Sequence, residues 1–316
     1  MKIIDNGLLK ESIEAILAEK FIFKSMDEDL KVLIVEGEDD IQVISKYYFF
    51  KKDSKMPFRV CVGEDLEENN SGKRSAIASF YKYKELIPSI MCLLDRDLDF
   101  LLGRNENDER IIYYDFYELE NYLFEDSLLK IFINRFYDFD NEDYESILKD
   151  LINISEYYKP LCKLLLIRDT FKANKFEDGN DKLNKIAELA KKDLTKIVMN
   201  DSQHYFGMEL IQKIIYYLNE ELAKVNLDYD FIEEQCSFDD VAATTAGNDD
   251  ELMIFKYFIG SKTVLKSIQC LMQKTISLDF NKVGSQISLE QSLKKEWIPN
   301  NSHKFESLMS YIEETI

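Results

Sequence analysis

Two short apolar runs that stop abruptly on carboxylates constrain this chain more than any other feature of it. The first is Val32 to Asp40, VLIVEGEDD, and the second is Ile90 to Asp99, IMCLLDRDLD. A short apolar run without polar alternation suits a strand covered on both faces, as strands of parallel sheets are. Two such strands side by side place Glu36, Asp95 and Asp97 at one sheet edge, which is the outline of a site for a hard divalent cation.

The residues between and around these runs extend the pattern. Asp39 to Phe50 has helical spacing through Ile41, Ile44, Tyr47 and Tyr48. Phe58 to Val62 reads as a strand, Gly63 to Gly72 as a polar loop, Lys73 to Lys84 as a helix, Ile90 to Leu94 as the third strand and Ile111 to Tyr114 as the fourth. Phe116 to Phe124, FYELENYLF, reads as a helical turn or short helix, and Leu8 to Lys24 predicts a leading helix. Strands alternating with helices indicate an α/β layer with a mostly parallel sheet. From Asp126 onward the spacing becomes helical over Ser127 to Phe136, Tyr144 to Ile154, Lys159 to Lys172, Lys182 to Lys192, Met208 to Val225 and Glu251 to Ile276. The expected organisation is an α/β domain over 1–125 and a mainly helical domain over 126–316.

Composition excludes several classes of function. Scattered cysteines (Cys61, Cys92, Cys162, Cys236, Cys270) show no CxxC spacing, which favours reduced buried thiols over disulfides or zinc. The only histidines are His204 and His303, too few for a His-rich metal site. No run approaches the ~18 apolar residues of a membrane span, and the acidic start does not read as a secretory signal, so a cytoplasmic protein is expected. The net charge of −20 is even: residues 1–125 carry 17 basic and 27 acidic side chains, and residues 126–316 carry 23 and 33. Such a chain repels nucleic acid at long range, and handling it requires a local basic patch, a bound dication or a partner.

The Glu-Gly that ends the first strand, the Asp four residues after that Glu (Glu36, Gly37, Asp40) and the later Asp-x-Asp (Asp95, Asp97) resemble the toprim family over roughly residues 31–125. Within it, the DRDLD run, the NSGKR segment (Asn70 to Arg74) and YELENYLF (Tyr117 to Phe124) resemble the toprim nucleases of anti-phage defence. The nearest resemblance is to the effectors of PARIS-type systems, and a more distant one is to OLD-type nucleases. The resemblance implies a toprim α/β core with an appended, largely α-helical C-terminal region. It also implies phosphodiester hydrolysis dependent on Mg²⁺, with Mn²⁺ able to substitute. The implied role is a toxic effector that cuts host tRNA, active as a homodimer, beside an ABC-type ATPase partner. A DNA-cutting OLD-like nuclease and a non-catalytic toprim-like subunit docked on such an ATPase are the alternatives.

Each candidate residue has a role that its chemistry allows. Glu36 serves as metal ligand or general acid/base, since a carboxylate beside a cation can do either. Asp40, one helical turn on, orients Glu36, a lysine or water, or is simply a helix N-terminal acid favoured by the macrodipole. Asp95 and Asp97, at i and i+2, face the same way if the chain stays extended, and Asp99 continues that register. Glu120 completes the metal set, with Glu118 as its rival; in the plainer reading, Glu118 and Asn121 face water from an amphipathic helix. Lys73 and Lys262, each near an expected helix start, would hold or stabilise phosphate charge. Neither lies in a Walker A loop, because position 67 is Glu where that motif needs glycine and GSKT splits the Gly-Lys pair. The paired aromatics, Tyr47 to Phe50 among them, sit mostly at core-facing spacing rather than forming a base-stacking surface.

Overall fold

The computed structural model describes residues 30–52, 56–63, 72–136, 141–156, 252–260 and 291–316, with positions 158, 159, 162, 163, 166, 216, 219, 220, 223, 224 and 230. The expected leading helix over Leu8 to Lys24 lies outside the described residues. So does the segment Lys182 to Lys192, together with most of Lys159 to Lys172 and of Met208 to Val225.

Val32, Leu33, Ile34 and Val35 are all fully buried, so the first apolar run is a strand with no solvent face. It is β1, Lys31–Val35, and it pairs in parallel with β2, Arg59–Val62, on one side and with β3, Ser89–Leu94, on the other. A short β4, Ile111–Tyr113, pairs in parallel with β3 and completes a four-stranded sheet of order β2-β1-β3-β4. The register sets Val35 against Val62 and Leu93, so the ends of the three longer strands come out at one edge.

Helices cover the sheet as the handedness of parallel crossovers requires. Helix α1, Glu38–Tyr47, links β1 to β2, and helix α2, Lys73–Tyr83, lies on the path from β2 to β3. The two crossovers run in opposite directions along the sheet, so right-handedness puts their helices on opposite faces. Ala76, Phe80 and Tyr83 of α2 join Val32, Ile34, Ile90, Cys92 and Leu94 in one buried cluster. Strand alternation sends Leu33 and Val35 to the other face, and α1 contacts both β1 and β2. Gly63, which follows β2 and donates its N–H to Val35 O at 3.1 Å, allows a very close crossing: a Cβ there would lie 2.4 Å from the Ala76 backbone nitrogen.

The chain divides into two compact units: Met1–Asp95 with Glu106–Asp115 and Ser292–Ile316, and Arg96–Asn105 with Phe116–Gln291. This line differs from the expected boundary near residue 125. In the first unit, the C-terminal segment consists of a π-helical turn Leu293–Trp297, a short helix Ile298–Asn301 and the helix His303–Thr315, which Ser302 caps by accepting the Phe305 N–H at 3.0 Å. It packs on α1 and the π-helical turn Tyr48–Lys52 after it. Phe305 meets Tyr47 edge-on at 5.8 Å, the Tyr48 hydroxyl donates to Glu313 at 2.7 Å, and the buried Lys294 reaches Asp39 at 2.6 Å.

The second unit holds a 3₁₀ helix Leu119–Phe124, then α3, Asp126–Phe136, and α4, Asn141–Glu156. Its core is aromatic, with Phe116 against Tyr122 at 4.9 Å and Phe124 against Phe255 at 5.1 Å. The helix expected over Glu251 to Ile276 is interrupted after Tyr257, and residues 261–276 lie outside the described residues. Only α5, Met253–Tyr257, forms before Phe258 turns to φ −123°, ψ −15°. The cause is a competing donor: the Asn121 side-chain amide donates to Phe255 O at 2.5 Å and Ile259 O at 2.8 Å, supplying partners that a helix end otherwise lacks. Cys61, Cys92 and Cys162 are reduced and buried, as expected.

Candidate active site

Strand order alone marks one place on this sheet. The chain leaves β1 toward β2 and leaves β3 toward β4, in opposite directions, so β1 and β3 are neighbours whose connections diverge. The crevice beyond the carboxyl ends of two such strands is where open α/β sheets bind ligands. Glu36 is the first residue beyond β1 and Asp95 the first beyond β3. The structure brings them together: Glu36 Oε1 accepts the Asp95 backbone N–H at 2.7 Å. The other carboxylate oxygen, Oε2, is turned toward Gly72, where a Cβ would lie 3.6 Å from it.

Gly72 is the residue before α2 and has φ +64° and ψ −136°, a region open to glycine and strained for other residues. Its conformation sets the start of α2 beside Glu36. Lys73 and Arg74 occupy the first turn, which contains no acidic residue. Cations at a helix N-terminus oppose the macrodipole, so this end of α2 is locally suited to negative charge. Lys73 is half-buried, with its Nζ 5.9 Å from the Tyr113 ring centre.

Asp40 is buried, and its two oxygens have different partners. Oδ2 accepts the Gly37 N–H at 2.9 Å, closing the turn that carries Glu36, and Oδ1 accepts the Tyr114 hydroxyl at 2.7 Å. Tyr114, 2% exposed, is therefore a site-supporting residue that the sequence reading passed over. Only its position directly after β4 hinted at it. Glu38 and Asp39, also in the first turn of α1, are exposed acids of the kind the macrodipole favours.

Beyond Asp95 the expected extended register fails. Asp97 takes a left-handed φ of +47° and donates its N–H to Tyr117 O at 2.7 Å. Asp99 O then accepts the Leu102 N–H at 3.2 Å and the Arg104 N–H at 2.9 Å, so the run folds into a turn. Asp97 and Asp99 are half-buried turn residues and do not continue the alternation of β3. Arg96, between the acids, stacks its guanidinium 4.3 Å from the Phe100 ring centre and 5.3 Å from that of Tyr257.

Of the two rival glutamates, Glu118 is the extended residue before the 3₁₀ helix, and its carboxylate lies against Gly260, where a Cβ would be 3.3 Å away. Glu120 is half-buried in the first turn. Asn121 is fully buried and does not face water as the amphipathic reading expects; its donors are taken by the carbonyls at the end of α5. Lys262 lies outside the described residues. Tyr47, Tyr48 and Tyr114 are core residues, whereas Phe49 and Phe50 are 69% and 43% exposed, an exception to the core-facing expectation.

Among the described residues, no group of three or more His, Cys, Asp or Glu is placed to hold a metal ion. Glu36 and Asp95, joined through the Asp95 backbone N–H, are residues of the type magnesium uses, since it commonly takes one or two protein carboxylates and completes its octahedron with water and substrate oxygen. Beneath them, the Cys92 thiol is held well above its usual range by burial first and by the Glu36 charge second, so it stays protonated under the carboxylates. No helix among the described residues is long and apolar enough to cross a membrane. No protein-family model matches the chain, and no curated protein matches it.

Proposed function

We propose that this chain is a toprim-type, Mg²⁺-dependent nuclease, a toxic effector of anti-phage immunity that cleaves host tRNA with an ABC-type ATPase as its partner. The observation that carries the phosphodiester chemistry is the meeting of Glu36 and Asp95 at the switch point of a parallel sheet, beside a glycine-opened helix start bearing Lys73. The tRNA target, the partner and the defence role rest on the resemblance of VLIVEGEDD, DRDLD and YELENYLF to the toprim nucleases of such systems. When bound, Mg²⁺ would offset phosphate charge and lower the pKa of a coordinated water.

The chain's own residues divide the remaining work. Glu36 and Asp95 would hold the cation, and Glu36 would take a proton from the attacking water. Lys73 and the start of α2 orient the phosphate. Asp40 and Tyr114 act through the Gly37 turn and position Glu36 without touching substrate.

The test is cleavage of tRNA and of single- and double-stranded DNA by the full chain with Mg²⁺ or Mn²⁺, alone and with the ATPase partner. Glu36→Gln and Asp95→Asn are expected to lower the rate about 100-fold or more, on the scale of losing a group that stabilises the transition state. If no nucleic acid is cut under any of these conditions, the nuclease reading is wrong. Calorimetry then decides for the binding-module alternative if Mg²⁺ affinity is also insensitive to Asp95→Asn.

A further inference from the structure

Two arginines of this chain present the same edge and meet opposite fates. Nε and Nη2 of a guanidinium point the same way, and that edge grips two oxygens of one oxyanion. Arg110 uses it on Asp108, with Nε and Nη2 donating to Oδ1 and Oδ2 at 3.1 Å each. Arg104 has the same two atoms buried with no hydrogen-bond partner. In a chain with 60 Asp and Glu residues, the edge is not empty for want of carboxylates.

A buried donor without an acceptor costs free energy, and a group kept in that state calls for an explanation. The neighbouring side chain does not provide one. Asn105 Oδ1 is also buried without a partner, so two adjacent polar groups of opposite kind leave each other unsatisfied. The backbone here is well anchored: the Arg104 N–H bonds Asp99 O at 2.9 Å, which ties the residue to the turn after the DRDLD run. Gly103, just before it, is exposed, has φ +62°, and nothing lies within 4 Å of where its Cβ would be. The turn thus has open space beside it at Gly103.

We infer that Arg104 is an oxyanion-binding residue whose Nε/Nη2 edge takes two oxygens of a phosphate. Naming that phosphate as part of a nucleic-acid backbone rests on the proposed nuclease function; the need for an oxyanion does not. A bound oxyanion would supply the acceptors that the protein itself does not give this edge.

The experiment uses the full chain in EDTA, so that cutting does not intrude. It measures melting temperature with inorganic phosphate against chloride at equal ionic strength, and fluorescence anisotropy of RNA and DNA oligonucleotides. Arg104→Met, which removes the unpaired donors, is expected to melt at or above the wild-type temperature, to lose the phosphate-dependent rise and to bind oligonucleotide ~10–100-fold more weakly. Arg104→Lys keeps the charge without the fork and should recover part of that loss, whether or not Arg104→Met folds well. The slope of log affinity against log salt should fall by about 1 in Arg104→Met. Wild-type protein that shows neither phosphate stabilisation nor oligonucleotide binding overturns the inference, and so does unchanged binding in Arg104→Met. Glu36→Gln separates the two claims. Arg104-dependent binding without Glu36-dependent cleavage sinks the nuclease reading alone, and Glu36-dependent cleavage that is unaltered in Arg104→Met sinks the arginine alone.

Discussion

Replacing Tyr114 by Phe removes one oxygen atom from the core and tests how the Glu36 turn is held. The hydroxyl donates to Asp40 Oδ1 at 2.7 Å, with Tyr114 2% and Asp40 8% exposed, so no solvent stands ready to replace it. A buried hydrogen bond to a charged group contributes ~1.5–3 kcal/mol, and the ring's packing is unchanged in Phe. Tyr114→Phe is therefore expected to cost ~2 kcal/mol. Asp40→Asn keeps one oxygen for the Gly37 N–H and turns an amide N–H₂ on the Tyr114 oxygen, which can accept it only by giving up its own hydrogen bond to the carboxylate. In the double variant that lost hydroxyl bond no longer counts, so the two losses should fall short of additive by ~1–2 kcal/mol. A two-unit chain does not have one unfolding free energy, but it has one tryptophan, and Trp297 is buried in the unit that contains Asp40 and Tyr114. Trp297 fluorescence in a urea titration therefore follows the relevant unit. If the chain is the proposed nuclease, cleavage by Tyr114→Phe should fall ~10-fold or more, because the pair fixes the Gly37 turn and small misplacements of a reacting group are costly. A Tyr114→Phe variant within ~0.5 kcal/mol of wild type, or strict additivity with Asp40→Asn, would refute the reasoning.

Two further expectations follow from single distances. Gly63→Ala puts a methyl 2.4 Å from Ala76 N and 2.5 Å from Ala76 Cα, both backbone atoms of α2, so the helix must move; the Trp297 transition should drop by ~3 kcal/mol or the chain should fail to fold. The hydrogen-bonded Arg110 guanidinium holds the Asp108 carboxyl down at about 2. Its folded pKa lies below the unfolded value of ~3.9, so the pair's stabilisation is present above about pH 4 and is lost as pH falls toward 2. Screening keeps it at or below ~1 kcal/mol, and the stability gap between wild type and Asp108→Asn should close between about pH 4 and 2; a gap that widens on acidification contradicts the assignment.

How far the sequence reaches depends on whether the physics is local. Val32 to Val35 and Ile90 to Leu94 are unbroken apolar runs, and only a strand covered on both faces accepts them, so the parallel sheet and its acidic edge were legible. The fate of Asp97 was not. Alternation tells which way a residue faces only while the chain stays extended, and Asp97 turns left-handed to bond Tyr117, a partner twenty residues away. The setting of Asn121 is hidden from the sequence for a similar reason. A polar residue on a short helix looks solvent-facing, and nothing nearby in sequence announces that Phe255 and Ile259 need its donors. The segment Ser292–Ile316 joins the sheet-bearing unit through Phe305, Glu313 and Lys294, contacts that span more than 250 positions and leave no periodic trace. Tyr114 and Arg104 escaped because a buried hydroxyl and an unpaired guanidinium edge are properties of surroundings, not of residue type.

In the proposed nuclease the carboxylates at the sheet edge would have two jobs, one structural and one chemical. Past the last ladder pair of β1 and β3 the backbone still carries donors, and each must find an acceptor. The Asp95 N–H finds Glu36 Oε1 and the Gly37 N–H finds Asp40 Oδ2, so the acids complete the ends of the strands before any ligand arrives. Glu36 Oε2 is turned toward Gly72, the side on which the proposed chemistry would take place. Glutamine keeps an oxygen for the Asp95 N–H and puts an uncharged amide N–H₂ in place of the second oxygen, whereas alanine orphans the Asp95 N–H, at ~1–3 kcal/mol. If the chain is the proposed nuclease, Glu36→Gln should keep more of the Trp297 transition than Glu36→Ala while losing Mg²⁺ affinity, and Glu36→Ala should lose both. If the two variants are equally destabilised, the division between the oxygens does not exist, and Glu36 is a structural acid whose charge, rather than its shape, holds β1 to β3.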